Sequence, residues 1–160
     1  MPKTYNDIYF SVRNALRENG VEAYSLEARI LLAAAAGKTT EQLMRDMYLY
    51  TSSEIEERTH GMIRRRLQGE PLAYIAGSWE FYGLPMTVTP DVLIPRMDTE
   101  ILVDAAIDAI KGFGMKGRVL DLCCGSGCIA CAIANELPAA RVVAADISPS
   151  ALEICRKNIK

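Results

Sequence analysis

Two aspartates, Asp121 and Asp146, and two glycines, Gly125 and Gly127, form a pattern suited to holding a small ligand. Asp121 sits in the middle of the run Gly117-Arg118-Val119-Leu120-Asp121-Leu122-Cys123-Cys124-Gly125-Ser126-Gly127, and Asp146 follows the run Arg141 to Ala145. Val119, Leu120 and Leu122 supply the apolar run of a central parallel strand. Gly125 and Gly127 permit a tight turn and a close approach of backbone to a ligand. Ile129 to Leu137, rich in alanine, reads as a helix, and Arg141 to Ala145 as a second strand. An acid about 20 residues past such a loop is placed to grip ribose hydroxyls. The unit is therefore βαβ, with a nucleoside-type ligand expected at its strand ends. Asp146 taken alone could equally be a helix N-cap; its place at a strand end favours the ligand role.

The choice of ligand turns on Asp121. Gly125-x-Gly127-x-x-Ala130 also fits the dinucleotide fingerprint, which tolerates alanine at its third position. A carboxylate just before the loop would repel a pyrophosphate placed at the helix N-terminus. S-adenosylmethionine has no phosphate, and its ammonium and sulfonium both favour a nearby carboxylate. The favoured reading is a site for S-adenosylmethionine, whose demethylated product is S-adenosylhomocysteine. Cys123, Cys124, Gly125, Ser126, Gly127 and Asp146 are the candidate cofactor-binding residues. A dinucleotide site and a merely structural glycine turn are the alternatives.

Composition narrows the class. The 160 residues are 50% hydrophobic with a formal net charge of −2, so a core can form and no electrostatic case exists for nucleic acid as a direct partner. No apolar run is long enough to span a bilayer, and Met1 to Tyr9 lacks the pattern of a signal peptide. A cytoplasmic location is expected, with no membrane partner. The five cysteines are odd in number and clustered, unlike a secreted disulfide framework. Cys128-x-x-Cys131 is half of a zinc or redox pattern, but no second half follows and His60 is the only histidine. Small buried thiols are the expected role, and no metal site is assigned.

These residues must be positioned by the elements before and after them. Thr4 and Asp7 resemble a capping box for a helix to Asn19, ended by Gly20. Ser25 is expected to cap a second helix to Ala36. Thr39 with Gln42 caps a short third helix through Tyr48, and Ser53 with Glu56 a fourth ended by Gly69. Short loops between them predict a helical bundle. Arg64-Arg65-Arg66 on the fourth helix reads either as a nucleic-acid contact or, preferably, as a solvated end complementing the helix dipole. Pro71 opens a turn, Leu72 to Ala76. The period then changes to two, with Trp79 and Phe81 before Tyr82-Gly83 and Leu84, Met86 and Val88 after, which predicts a hairpin. Asp98 is expected to cap a long helix to Ile110, apolar almost all round and so buried between layers. Gly112, Gly114 and Gly117 link it to the glycine-loop strand. Ser148-Pro149 opens a last helix.

Three blocks carry a family resemblance: Gly69-Glu70-Pro71-Leu72-Ala73-Tyr74-Ile75-Ala76-Gly77 with Phe81-Tyr82-Gly83; Leu93-Ile94-Pro95-Arg96-Met97-Asp98-Thr99-Glu100; and Asp121 to Ala130 followed by Asp146. The chain resembles the N-terminal portion of the protein-(glutamine-N5) methyltransferases of the PrmC/HemK type. The third block alone marks only the broad methyltransferase fold; the first two are far more specific. The family usually has proline in place of Met97. The resemblance implies methyl transfer from S-adenosylmethionine to the glutamine amide of a Gly-Gly-Gln motif in class 1 peptide-chain release factors, the protein partner. It also implies that Arg96 helps shape the pocket that receives substrate.

The fold class expected is α/β: a helical substrate-recognition domain (residues 1–76), a β-hairpin linker (77–95), and the first half of a doubly wound, Rossmann-like methyltransferase sheet (96–160). Trp79 and Phe81 are expected to pack between the bundle and the sheet domain. The family's catalytic Asn-Pro-Pro-Tyr motif has no counterpart, since no Pro-Pro pair occurs. No catalytic residue is therefore assigned, and the 160-residue chain alone is expected to be inactive. Two parallel strands with one open side could self-associate. A methyltransferase of the same fold acting on another amide or on a nucleic-acid base amine, and a non-catalytic helical binding module, are the alternative functions.

Overall fold

The computed structural model describes residues 2–112, 114 and 117–159. The chain divides into two compact units, Met1–Ala76 and Gly77–Lys160.

The first unit is helical: α1 (Tyr5–Glu18), α2 (Tyr24–Ala36), α3 (Thr40–Arg45), α4 (Ser53–Leu67) and α5 (Leu72–Ala76). Thr4 closes a capping box with Asp7, and Thr39 one with Gln42, so two orphan N–H groups at each start are satisfied within four residues. Ile8, Val12 and Leu16 of α1 meet Leu31 and Leu32 of α2, Leu43 and Ile63 in one core. Two expected caps move. Helix α2 begins at Tyr24 with no side-chain cap, and the Ser25 hydroxyl instead accepts from Arg13 Nε at 3.1 Å. The cap of α4 is Ser52, not Ser53, with Ser52 Oγ accepting from the Ile55 N–H. Helix α3 stops at Arg45 rather than Tyr48: residues 46–48 form a turn, the carbonyls of Met47 and Leu49 accept from the N–H groups of Asn6 and Tyr5 at the start of α1, and Thr51 donates to the carbonyl of Lys3 beside the bridge between Thr4 and Tyr50. The arginine run is largely neutralised. Arg66 makes a bidentate pair with the buried Glu27 at 2.6 and 3.0 Å, and Arg65 pairs with Glu70.

The second unit contains β1 (Ser78–Phe81), β2 (Leu84–Thr87), α6 (Asp98–Gly112), β3 (Arg118–Leu122), α7 (Cys128–Glu136), β4 (Arg141–Ala145) and α8 (Pro149–Asn158). Strands β1 and β2 form the expected hairpin, with Tyr82 and Gly83 both left-handed at φ 53° and 71°, the geometry of a two-residue turn that follows the strand twist. Tyrosine is held there by α6: its N–H donates to Glu100 Oε1 at 2.8 Å and its hydroxyl to Asp104 Oδ1 at 2.7 Å. Phe81 and Met86 pack with Val103, Ile107, Ile133 and Leu137. The hairpin expected as a linker thus belongs to the second unit's core, which accounts for Phe81 by itself. Trp79 is half-buried.

Strands β3 and β4 pair in parallel, Val119 opposite Val142 and Leu122 opposite Ala145. Leu120, Leu122 and Val143 are 55–69% exposed, so the apolar run of a sheet covered on both faces is present with one face open. Helix α6, expected to be buried all round, is buried on one face only. Val103, Ile107 and Ile110 face the core, whereas Ile101 and Leu102 stay exposed. The glycine link from Gly112 to Gly117 falls partly outside the described residues.

Candidate cofactor site

The site begins where β3 ends. Cys123 is left-handed at φ 63°, Gly125 at 54° and Gly127 at 76°, and these reversals turn the chain from the strand into α7. The loop is held by its own backbone. Cys124 donates to the Ala145 carbonyl at 3.0 Å, Gly127 to the Cys124 carbonyl at 2.7 Å, and Cys131 to the Gly127 carbonyl at 2.9 Å. Gly127 meets two demands at once. Beyond its positive φ, a Cβ there would lie 2.5 Å from Cys155 Sγ on α8, so helix and loop touch at a point with no room for a side chain.

Both aspartates bind the loop. Asp146 Oδ2 accepts from the Gly125 N–H at 2.8 Å, and Oδ1 accepts from the Ser148 N–H at 2.9 Å. The carboxylate therefore ties the end of β4 to the loop and to the start of α8. The N–H donors of Ser148 and then Gly125 hold its carboxyl below the usual carboxylate range. Each oxygen keeps a second lone pair toward which a hydroxyl can donate. Asp121 is buried and accepts from the Ala130 N–H at 3.1 Å. Ala130 lies in the first turn of α7, whose cap residue Gly127 has no side chain. Asp121 therefore caps that helix from the strand, and burial raises its pKa.

This pattern selects between ligands. At a phosphate-binding loop the free N–H groups and the helix N-terminus point at the anion. Here the N–H groups of Cys124, Gly125 and Gly127 are already used within the protein, and a carboxylate occupies the N-terminus of α7. The donor set suits a cationic, phosphate-free nucleoside and opposes a pyrophosphate.

Among the other sequence candidates, Ser126 is buried and Cys123 is exposed. Burial and the neighbouring Cys155 thiol push the Cys124 thiol up to about 12, and burial pushes Cys131 to about 11. Both thiols are protonated at neutral pH and behave as small packing groups. Arg96 is exposed in the segment before α6 and makes no side-chain hydrogen bond or ion pair among the described residues. A groove of about 520 Å³ opens between β2, α7, β4 and the end of α8; the loop residues 123–127 and Asp146 do not line it, so it is a separate space.

Asn158 is the site residue that sequence reasoning missed. Its Nδ2 donates to the Ser126 carbonyl at 2.9 Å and the Thr87 carbonyl at 3.0 Å, and its Oδ1 accepts from the Thr87 N–H at 2.7 Å. No local motif in the sequence marks it, because its partners lie 32 and 71 residues away. It follows Cys155 by three residues and so shares a helix face with the side chain under Gly127.

Comparison with known proteins follows the same division. Residues 10–77 match the PrmC N-terminal domain and residues 97–160 the methyltransferase small domain. The chain is 45% identical over 145 residues to the release factor glutamine methyltransferase of Burkholderia pseudomallei (strain K96243), covering 91% of this chain and 50% of that protein. It is 47% identical over 133 residues to that of Neisseria gonorrhoeae (strain ATCC 700825 / FA 1090), covering 83% and 48%. It is 35% identical over 184 residues to a bifunctional methyltransferase of Rickettsia felis (strain ATCC VR-1525 / URRWXCal2), covering 99% and 35%. The chain spans about half the length of the release factor glutamine methyltransferases it matches. Residues 10–77 are thus similar to the PrmC N-terminal domain, and residues 97–160, which carry the glycine loop and Asp146, to the methyltransferase small domain.

Proposed function

We propose that the whole protein to which these residues belong transfers a methyl group from S-adenosylmethionine to the glutamine side-chain amide of the Gly-Gly-Gln motif in class 1 release factors. The observation that carries the cofactor half of this reading is the loop Cys123–Gly127, closed on itself and on Asp146, with the N–H groups of Cys124, Gly125 and Gly127 satisfied and a carboxylate at the head of α7. Asp146 would receive the ribose hydroxyls on its remaining lone pairs. Gly125 and Gly127 let the backbone come close to the nucleoside. Asp121, behind the loop, favours the positive charge of the amino-acid end. When bound, S-adenosylmethionine supplies an electrophilic methyl group on a sulfonium.

The acceptor is the harder half. An amide nitrogen is a weak nucleophile because its lone pair is delocalised, so catalysis rests on holding it in line with the methyl group. Asn-Pro-Pro-Tyr, which does this in the resembled family, is absent from these 160 residues. Within this chain the helical unit would hold the release factor, and the exposed Arg96 would help frame the mouth of the pocket. The uncovered face of β3 and β4, with Leu120, Leu122 and Val143, is where further structure of the whole protein would pack; in the isolated chain it is a surface for self-association.

Radiolabelled methyl transfer tests the reading. The whole protein should label a class 1 release factor and not its variant with the Gly-Gly-Gln glutamine changed to alanine. The 160-residue chain alone should label neither. Equal labelling of both forms by the whole protein would move the activity to another substrate.

A further inference from the structure

We propose that Asn158 is a positioning residue that couples the hairpin to the cofactor loop, so that cofactor binding and hairpin order rise and fall together; this rests on the loop being the cofactor site.

The hairpin has only two strands, β1 and β2. Two strands leave each outer edge with unpaired N–H and C=O groups. At Thr87 both of these groups are taken by one amide: Asn158 Oδ1 receives the N–H at 2.7 Å, and Asn158 Nδ2 donates to the C=O at 3.0 Å. The side chain thus does what a residue of a third strand would do. Its second amide hydrogen donates to the Ser126 carbonyl at 2.9 Å, in the middle of the cofactor loop. An amide carries two donors on one planar nitrogen, and here both are aimed, one at each structure. The hairpin residue and the loop residue are therefore referred to the same rigid group.

Helix α8 makes this coupling stiff. Cys155, one turn earlier, lies against Gly127 with no space for a Cβ between them. The start of α8 is tied to the same carboxylate that binds Gly125, through the Ser148 N–H. The loop is thus fixed to α8 at Gly125 by way of Asp146, at Gly127 by packing and at Ser126 by Asn158. Only the last of these contacts also reaches the hairpin.

Amide exchange, residue by residue, tests this on the 160-residue chain with and without S-adenosylhomocysteine, alongside calorimetric Kd values. In the wild-type chain the ligand should slow exchange at Thr87 together with Ser126 and Gly127. Asn158→Asp is the informative variant. Its carboxylate still accepts from Thr87 N–H but offers no donor to Ser126, so Kd should rise about tenfold and the slowing at Thr87 should vanish. Asn158→Ala should do the same, with faster exchange at Thr87 even without ligand. Ile107 in α6, within the core of the second unit, reports unfolding of that unit and should be unchanged. Ligand binding that leaves Thr87 unaffected in the wild-type chain, or variants whose Kd stays within twofold, would overturn the proposal and leave the cofactor site standing. If the wild-type chain binds no ligand at millimolar concentration, the cofactor reading of this chain fails separately. Exchange in the ligand-free variants then decides: acceleration at Thr87, Ser126 and Gly127 together supports the coupling, and acceleration at Thr87 alone overturns it.

Discussion

Replacing Gly127 with alanine should separate two costs that the loop imposes on one residue. The first is conformational. At φ 76° a residue with a Cβ loses roughly 1–2 kcal/mol relative to its preferred regions. The second is steric. The new Cβ would stand 2.5 Å from Cys155 Sγ and 3.4 Å from Cys155 Cβ, and forcing a methyl group into a filled contact costs about 1–3 kcal/mol. The sum is roughly 2–5 kcal/mol, a large part of a domain's stability. Gly125 is the internal control. It is also left-handed, at φ 54°, but nothing lies within 4 Å of an added Cβ, so Gly125→Ala should cost only the conformational part, about 1–2 kcal/mol. Cys155→Ala removes the sulfur that the Gly127 methyl group meets. In the Gly127→Ala, Cys155→Ala double variant the steric part should therefore be recovered, giving a coupling of roughly 1–3 kcal/mol between the two sites. Urea unfolding of the wild-type chain and these four variants measures this directly. Equal costs at Gly125 and Gly127, or strict additivity of the double variant, would refute the close contact between α8 and the loop.

Three further outcomes follow from the same geometry. Cys123 is exposed yet left-handed at φ 63°, so Cys123→Gly should raise stability by up to about 1 kcal/mol in urea unfolding, the strain released less the extra chain entropy. Glu27→Ala should destabilise the first unit by roughly 2–4 kcal/mol, because it leaves the half-buried Arg66 without its bidentate partner; thermal unfolding checks this, and Glu27→Ala combined with Arg66→Met should recover much of the loss. The Tyr82 hydroxyl, donating to Asp104 and partly desolvated, is pushed up to about 12. Its folded pKa exceeds the ordinary value near 10, so its contribution is complete below pH 10 and is lost as pH rises from 10 to about 12. Tyr82→Phe should remove that part of the alkaline transition of the second unit, read by fluorescence of the single tryptophan, Trp79.

Much of the fold was legible because its signals are local. The boxes Thr4–Asp7 and Thr39–Gln42, the Tyr82-Gly83 turn and Ser148-Pro149 each act within four residues, so type and spacing sufficed. The errors of one or two residues at Ser25 and Ser53 arose where two hydroxyls or none competed for the same helix start, and a distant partner, Arg13, decided the first of them. The glycine loop was legible for a similar reason, since left-handed glycines between an apolar strand and an alanine-rich helix leave few other conformations.

Residue types and spacing alone set out the order of elements, the glycine loop and the two carboxylates at the strand ends. Tertiary folding settles how those carboxylates are used: Asp121 caps α7 from the strand, and Asp146 clamps Gly125 to Ser148. It alone disclosed Asn158, whose partners lie 32 and 71 residues away. The physical reason is that a cap or a turn is satisfied within one peptide's reach and leaves a pattern in the sequence. A side-chain amide that serves the edge of a distant hairpin gains its partners only when the chain has closed, and no local spacing announces which backbone groups will still be unpaired by then.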